Sequence, residues 1–182
     1  MRKLQTSRFV KLEESFVSDG GGFGRFDVWL VMELCDRDLG VVMREAGGPL
    51  EEGQVLSLIG QTLDGLRAIH GKNIIHRDIK PANLLLLGDV LKVADFGLAK
   101  VQEHTQTATS AGTLAYMAPE ASQEAYPEAR GRARYNNTID VWAVGVIMLE
   151  MMTGETSKQL FGNVSGTALV TQKHVDLSLI HI

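Results

Sequence analysis

Cysteine is almost missing from this chain: among 182 residues only Cys35 carries a thiol. An internal disulfide is excluded and the composition fits a reducing compartment, so the cytoplasm, or else the nucleus, is the expected location. Long apolar stretches are missing too. The longest, Val141 to Leu149, is nine residues, where a membrane-spanning helix needs roughly 20, so no membrane association is expected. The first residues are charged and no apolar segment follows them, so no secretory leader is expected. Neither sign of charge dominates. A net charge of −4 gives no ground for a nucleic-acid partner, and Arg130-Gly131-Arg132-Ala133-Arg134 reads as a solvated loop. His70, His104 and His174 lack ligand spacing, so no metal is assigned to them. Internal repeats and low-complexity tracts are absent. What is plentiful is apolar surface: a hydrophobic content of 45% can bury roughly 70% of the unfolded chain's surface, as one domain or a domain and a fragment.

The chemistry concentrates between His76 and Gly97, in His76-Arg77-Asp78-Ile79-Lys80-Pro81-Ala82-Asn83 and then Asp95-Phe96-Gly97. Between them, Leu84 to Leu87 and Val90 to Val93 read as two strands joined by the turn Gly88-Asp89. Such a hairpin returns its ends to one place, so Asn83 and Asp95 emerge at one edge beside the loop that carries Asp78 and Lys80. Two oxygen ligands, a further carboxylate and an ammonium in one mouth suit magnesium and a phosphate chain.

Elsewhere, Phe9 to Val17 and Val28 to Leu34 read as strands around Ser18-Asp19-Gly20-Gly21-Gly22-Phe23-Gly24. Those glycines do not fall in a G-x-G-x-x-G frame, so the connection reads as a hairpin tip and not as a phosphate loop. Val55, Leu56, Ile59, Leu63, Leu66 and Ile69 recur at helical spacing between the acidic turn Glu51-Glu52 and the stop at Gly71. Gly60 and Gly65 inside that helix each cost about 1 kcal/mol relative to alanine, so packing has to hold it. Residues 139–152 form a helix apolar on nearly every face, which predicts burial in the middle of a lobe.

The run from His76 to Gly97 resembles the catalytic loop and magnesium-binding motif of eukaryotic protein kinases. Six specified residues within eight positions recur by chance at a given site on the order of once in 10⁸. Further on, Gly112-Thr113-Leu114-Ala115-Tyr116-Met117-Ala118-Pro119-Glu120 looks like the end of an activation segment, and Asp140-Val141-Trp142-Ala143-Val144-Gly145 like the start of the buried central helix of the large lobe. The resemblance implies an α+β, protein-kinase-like two-lobe fold, truncated to the end of the small β lobe, the hinge and the first half of the mainly helical large lobe. On that reading 1–154 is a partial kinase domain, with small-lobe strands in 1–34 and the large lobe to its central helix in 35–154. The remainder, 155–182, is a non-matching tail expected to be disordered or artefactual, and Leu177 to Ile182 looks like translated adapter sequence.

Roles follow from the resemblance, position by position. Asp78 would accept a hydrogen bond from the substrate hydroxyl, Lys80 would reach the transferred phosphate, and Asn83 and Asp95 would bind magnesium. Met32 is the gatekeeper position, Glu33 and Cys35 would hold the adenine of ATP through main-chain groups, and Leu85 would floor that pocket. Cys35 itself reads as an ordinary buried or half-buried thiol. Lys80 and Thr113 resemble the serine/threonine branch. Arg77 beside the base resembles kinases controlled by phosphorylation of a segment that here contains Thr105, Thr107, Thr109 and Ser110. Asp140 would cap the central helix and accept main-chain N–H groups of the catalytic loop, Glu120 would be structural, and His76, Phe96 and Leu12 look like tiers of the family's hydrophobic spine.

The expected function is therefore transfer of the γ-phosphate of ATP to serine or threonine hydroxyls of a protein substrate. The family's glycine-rich loop, strand lysine and paired glutamate would lie before residue 1, and no arginine partner for Glu120 is found. The chain is accordingly expected to be a fragment with little activity of its own. A pseudokinase or scaffolding module is the alternative, weakened by the intact Asp78, Asn83 and Asp95. A small-molecule kinase is a third reading, and the peptide platform resembled by Gly112 to Glu120 speaks against it.

Overall fold

The computed structural model describes residues 8–19, 26–96, 100–101, 114–118, 121 and 136–161. The order is mixed α+β, opening on strands and continuing with helices and further short strands. β1 (Leu12–Asp19) and β2 (Phe26–Met32) form an antiparallel hairpin. β3 (Arg37–Asp38), α1 (Leu39–Ala46), α2 (Glu52–His70) and β4 (Ile74–Ile75) follow. Then come β5 (Leu84–Leu87), β6 (Val90–Val93), β7 (Lys100–Val101), α3 (Thr138–Thr153) and α4 (Ser157–Phe161).

The β1 strand begins later than the apolar run predicts. Phe9 pairs instead with Val93 in a parallel bridge, and the Val93 N–H donates to the Arg8 carbonyl at 2.7 Å. Residues 8–10 thus extend the edge of β6 before the chain turns into the hairpin. Apolar side chains of that hairpin stay exposed on both strands, including Phe16, Trp29 and Leu30. Phe16 and Trp29 are cross-strand partners and stack at 6.1 Å.

α1 has no counterpart among the sequence expectations, yet its ends are written in the residues. The Asp38 carboxylate accepts from the Val41 N–H at 2.9 Å, and Gly47 closes the helix in the left-handed region at φ 64°. α2 runs within a residue of its predicted bounds. Of its two internal glycines, Gly65 is buried where the helix comes closest to β6, since a methyl there would stand 3.0 Å from Val93 Cγ2. Gly60 faces open space.

α2, the β5–β6 hairpin and α3 share one core. Leu58, Leu66 and Ile69 join Leu84, Leu91 and Val93 and then Ala143, Val144 and Ile147. The β5–β6 register, Leu84 opposite Val93 and Leu87 opposite Val90, sends Leu84 and Leu86 into this core. α3 is apolar around most of its circumference, so it can sit only in the interior. It ends at Gly154, whose φ is 72° and whose position abuts the Gly48–Pro49 peptide.

α4 lies where no periodicity predicts an element. It is fastened by Glu150 of α3, whose carboxylate accepts from the Ser157 N–H at the start of α4. The rest of the expected tail, 162–182, lies outside the described residues.

Two substitutions test this packing in opposite directions. Gly154→Ala forces a side chain into the left-handed region and places Cβ 2.6 Å from Gly48 and Pro49 backbone atoms, so a loss of about 1–3 kcal/mol is expected in denaturant unfolding. Gly60→Ala meets nothing and should gain about 0.5–1 kcal/mol.

Candidate active site

The site is assembled at the open end of the β5–β6 hairpin. Beyond the Leu84–Val93 pair, the Ala94 N–H donates to the Asn83 carbonyl at 2.9 Å, which extends the ladder by one rung. Asn83 closes a short 3₁₀ turn, Pro81–Asn83, and Asp95 follows Ala94 at a φ of 61°. The two expected oxygen ligands therefore leave the same edge.

Asp78 is brought to that edge by the loop before it. Its Oδ2 accepts from Lys80 Nζ at 2.7 Å and from Asn83 Nδ2 at 3.0 Å. Asn83 Nδ2 also donates to the Asp78 carbonyl at 2.8 Å, so both amide hydrogens of Asn83 are spent on one residue. The other carboxylate oxygen, Asp78 Oδ1, is buried without a hydrogen-bond partner among the described residues. A buried unpaired acceptor is costly and marks a place where a ligand donor belongs.

His76 fixes the loop from behind. It is fully buried. Nε2 lies 3.0 Å from the Ala94 carbonyl and Nδ1 accepts from the Asp78 N–H at 3.3 Å. A carbonyl can only accept and an amide N–H can only donate, so the ring is neutral with its proton on Nε2. Burial holds its pKa below the ordinary imidazole value, against the Ala94 hydrogen bond and the charges of Asp140, Asp78 and Asp95, which favour the proton. The ring packs on Phe96 at 5.1 Å, and Phe96 on Phe9 at 5.5 Å.

The Asp140 carboxylate anchors the whole arrangement. It is 1% exposed. Oδ2 accepts from the His76 N–H at 2.9 Å and Oδ1 from the Arg77 N–H at 2.8 Å, and the His70 ring Nε2 lies 2.8 Å from Oδ2. Arg77, so held, has a φ of 71°.

A protein kinase domain model matches residues 1–179 of this chain. Human mitogen-activated protein kinase 12 is 42% identical over 157 residues, covering 86% of this chain and 40% of the relative. Human cyclin-dependent kinase 20 is 35% identical over 158 residues, or 85% and 42%. Mitogen-activated protein kinase 5 of Arabidopsis thaliana is 40% identical over 131 residues, or 71% and 33%. The chain belongs to the protein kinase family, serine/threonine type. It spans about two fifths of the length of the first of these relatives and so carries part of a kinase domain.

Within this kinase domain three details differ from the sequence expectations. Asp140 does not cap α3. The cap position is Asn137, and the first free N–H, that of Thr138, is satisfied by Asn136 Oδ1 at 2.9 Å. With its carboxylate committed to the catalytic loop and to His70, Asp140 has nothing left for its own helix. Leu12 does not continue the ring stack. It is 52% exposed, and Phe9 takes that place because the Val93 bridge draws it inward. In the hinge, the Glu33 N–H is already donated to the Lys11 carbonyl at 2.8 Å, so of Glu33's two main-chain groups the carbonyl is the one left for a ligand.

The Glu33 side chain is held as well. Lys92 Nζ, almost fully buried, lies 2.5 and 2.6 Å from its two oxygens. The Lys92 hydrogen bond, helped by the Lys11 N–H, lowers the Glu33 pKa. Burial and the Glu33 charge push the half-buried Cys35 thiol up, which keeps it protonated and unreactive. Leu85 is half-buried, on the strand face that it shares with Lys92.

Thr105, Thr107, Thr109, Ser110, Thr113, Glu120 and Gly97 lie outside the described residues. Two further groups belong to the site's surroundings. His70 has no metal-ligand spacing that would point to it, whereas Glu150, a carboxylate inside an otherwise apolar helix, is itself a signal that partners await it. Glu150 accepts from the Tyr116 hydroxyl at 3.1 and 3.2 Å, and burial, then the Glu150 charge, raise the Tyr116 pKa.

The depressed His76 pKa has a definite sign in stability. The folded protein keeps the ring neutral while the unfolded chain takes a proton near about pH 6.5. The stabilisation is fully present above that pH and is lost as pH falls below it. Thermal unfolding should therefore show a melting temperature that drops between about pH 7.5 and 5.5, and His76→Gln, which cannot titrate, should flatten that drop.

Proposed function

We propose that this kinase domain transfers the γ-phosphate of ATP to serine or threonine hydroxyls of a protein substrate. The observation that carries the reading is the state of Asp78. One of its oxygens is fixed by Lys80 and Asn83, and the other is buried and unpaired among the described residues. In this reading the substrate hydroxyl donates to Oδ1, which orients its oxygen toward the γ-phosphorus, and Asp78 takes the proton as the new P–O bond forms and the bond from that phosphorus to the bridging oxygen breaks, the electron pair leaving on ADP. Lys80, already on Oδ2, lies within reach of the transferred group and offsets its charge.

The residues fit magnesium. Asn83 spends both amide hydrogens on Asp78, so its Oδ1 is the atom left to coordinate, and the Asp95 carboxylate supplies a second hard oxygen at the same hairpin edge. Bound there, the ion supplies neutralisation of the nucleotide's phosphate charge. Adenine would rest against Leu85, meeting the Glu33 carbonyl and the Cys35 N–H. No helix among the described residues is long and apolar enough to cross a membrane, and a cytoplasmic or nuclear setting is part of the proposal.

In the full-length gene product, Asp78→Asn should lower peptide phosphorylation by about 10²–10⁴ and leave ATP affinity within about twofold, read by nucleotide titration. Turnover surviving in the mutant would reject Asp78 as the base. Peptides offering tyrosine alone should be poor substrates beside serine or threonine peptides, and efficient tyrosine labelling would overturn the assignment of substrate class.

A further inference from the structure

Lys92 is a buried cation to which the proposed chemistry gives no task. Its side chain is 5% exposed, and a charge so buried persists only where partners hold it. Nζ lies 2.5 and 2.6 Å from the two carboxylate oxygens of Glu33. Lys92 is also the residue directly opposite Leu85 in the β5–β6 register, so the two side chains stand on one face of that hairpin. One of this pair is the proposed floor of the adenine pocket, and the other reaches the hinge.

The hinge is thereby tied to the β5–β6 hairpin at both of its ends. On the far side, the Asp36 N–H donates to the Leu86 carbonyl at 2.8 Å, the Asp36 carboxylate accepts from the Gly88 N–H at 2.8 Å, and Arg37 pairs with Leu86. On the near side, Glu33 donates its N–H to the Lys11 carbonyl and receives the Lys11 N–H on its carboxylate at 3.2 Å. Those two bonds stay within the small-lobe strands. The bond to Lys92 is what carries Glu33 across to β6. Leu34, in between, is 89% exposed and adds little packing of its own.

We propose that Lys92 is a positioning residue that sets base specificity: by holding Glu33 it fixes the Glu33 carbonyl at a set distance from Leu85, so that the hinge favours a purine bearing an amino group over one bearing a carbonyl oxygen at the same place. An acceptor held still faces another acceptor at full cost, since neither finds a donor. An acceptor free to retreat admits water between the two, and the cost falls. Lys92 acts through Glu33 on nucleotide binding and not on the transfer step. The proposal rests on the reading of the hinge as the adenine site.

The test compares ATP with its 6-oxo analogue ITP by nucleotide titration of the full-length gene product. Wild type should bind ATP about 10–100-fold more tightly than ITP. In Lys92→Met, apolar and of similar length, that ratio should fall about fivefold or more through loss of ATP affinity, and in Lys92→Arg, which keeps a cation within reach of Glu33, it should stay within about twofold of wild type. In phosphotransfer assays Lys92→Met should raise KM for ATP at nearly unchanged kcat. An unchanged ratio, or equal losses for ATP and ITP, would overturn the proposal. If Lys92→Met does not fold, Glu33→Asp takes its place, since its shortened carboxylate retreats from Lys92 while the main-chain groups remain, and an unchanged ratio there overturns the proposal equally. Amide hydrogen exchange separates this idea from the reading beneath it. The Glu33 amide should exchange about tenfold faster relative to the Asp36 amide in Lys92→Met and return to the wild-type ratio in Lys92→Arg. Wild-type protein that fails to distinguish ATP from ITP but shows this exchange pattern would reject the hinge as the adenine site and still support Lys92 as its brace. Equal exchange ratios in all three proteins would reject the brace itself.

Discussion

A carboxylate buried to 1% exposure is tolerable only if its lone pairs are filled, and Asp140 is where that requirement organises the domain. Its donors are two successive main-chain N–H groups and an imidazole. Those N–H groups belong to irregular chain and would otherwise be buried without acceptors. Each side of the interaction thus removes the other's cost. The position of the carboxylate is set in turn by α3, whose face of Ile139, Ala143, Val144 and Ile147 is buried and holds the helix in place. Apolar composition in one helix is thereby converted into a fixed main-chain conformation in a loop far away in sequence.

His76 makes the second connection, between the loop and the hairpin end. One ring nitrogen reaches the Ala94 carbonyl and the other receives the Asp78 N–H. Both bonds require the neutral ring, and burial supplies the penalty that keeps it so despite three nearby carboxylates. A charged ring would lose the Nδ1 acceptor and, with it, the hold on Asp78, the proposed substrate acceptor. The result is a site rich in carboxylate, with Lys80 bound to Asp78 as its near cation. On the proposed function, that is the electrostatic setting in which a nucleotide would arrive with its divalent ion.

Legibility differed between elements for physical reasons. The β5–β6 hairpin and α2 could be read nearly to the residue, because the turn Gly88-Asp89 and the helical spacing up to Ile69 are local signals. α1 was legible in principle from Asp38 and Gly47, but eight residues are too few for periodicity to stand out. α4 was not legible, because its start depends on Glu150, a residue of another helix. Within the site, the grouping of Asp78, Lys80 and Asn83 follows from spacing alone. The roles of His70 and Phe9 do not, since each depends on a contact across more than 60 residues, to Asp140 and to Phe96 respectively.

The β1–β2 hairpin shows what such long-range contacts accomplish. Two strands without a covered face are marginal in water, and this pair exposes large side chains along β2 from Phe26 to Met32. Among the described residues its anchors lie at the hinge end: the Phe9 bridge to Val93, the Lys11 carbonyl on the Glu33 N–H, and the Glu33 carboxylate on Lys92. Two of these reach β6. That strand alternates its duties along four residues, with Lys92 turned to the hinge and Leu91 and Val93 turned to the core, and it continues through Ala94, bonded to Asn83, into Asp95. Because successive side chains of a strand point to opposite faces, one short strand can tie the small-lobe hairpin, the α2 helix and the edge of the site into a common register. A shift of β6 by one residue would exchange Lys92 for an apolar neighbour at the hinge and bury its ammonium in the core without a partner.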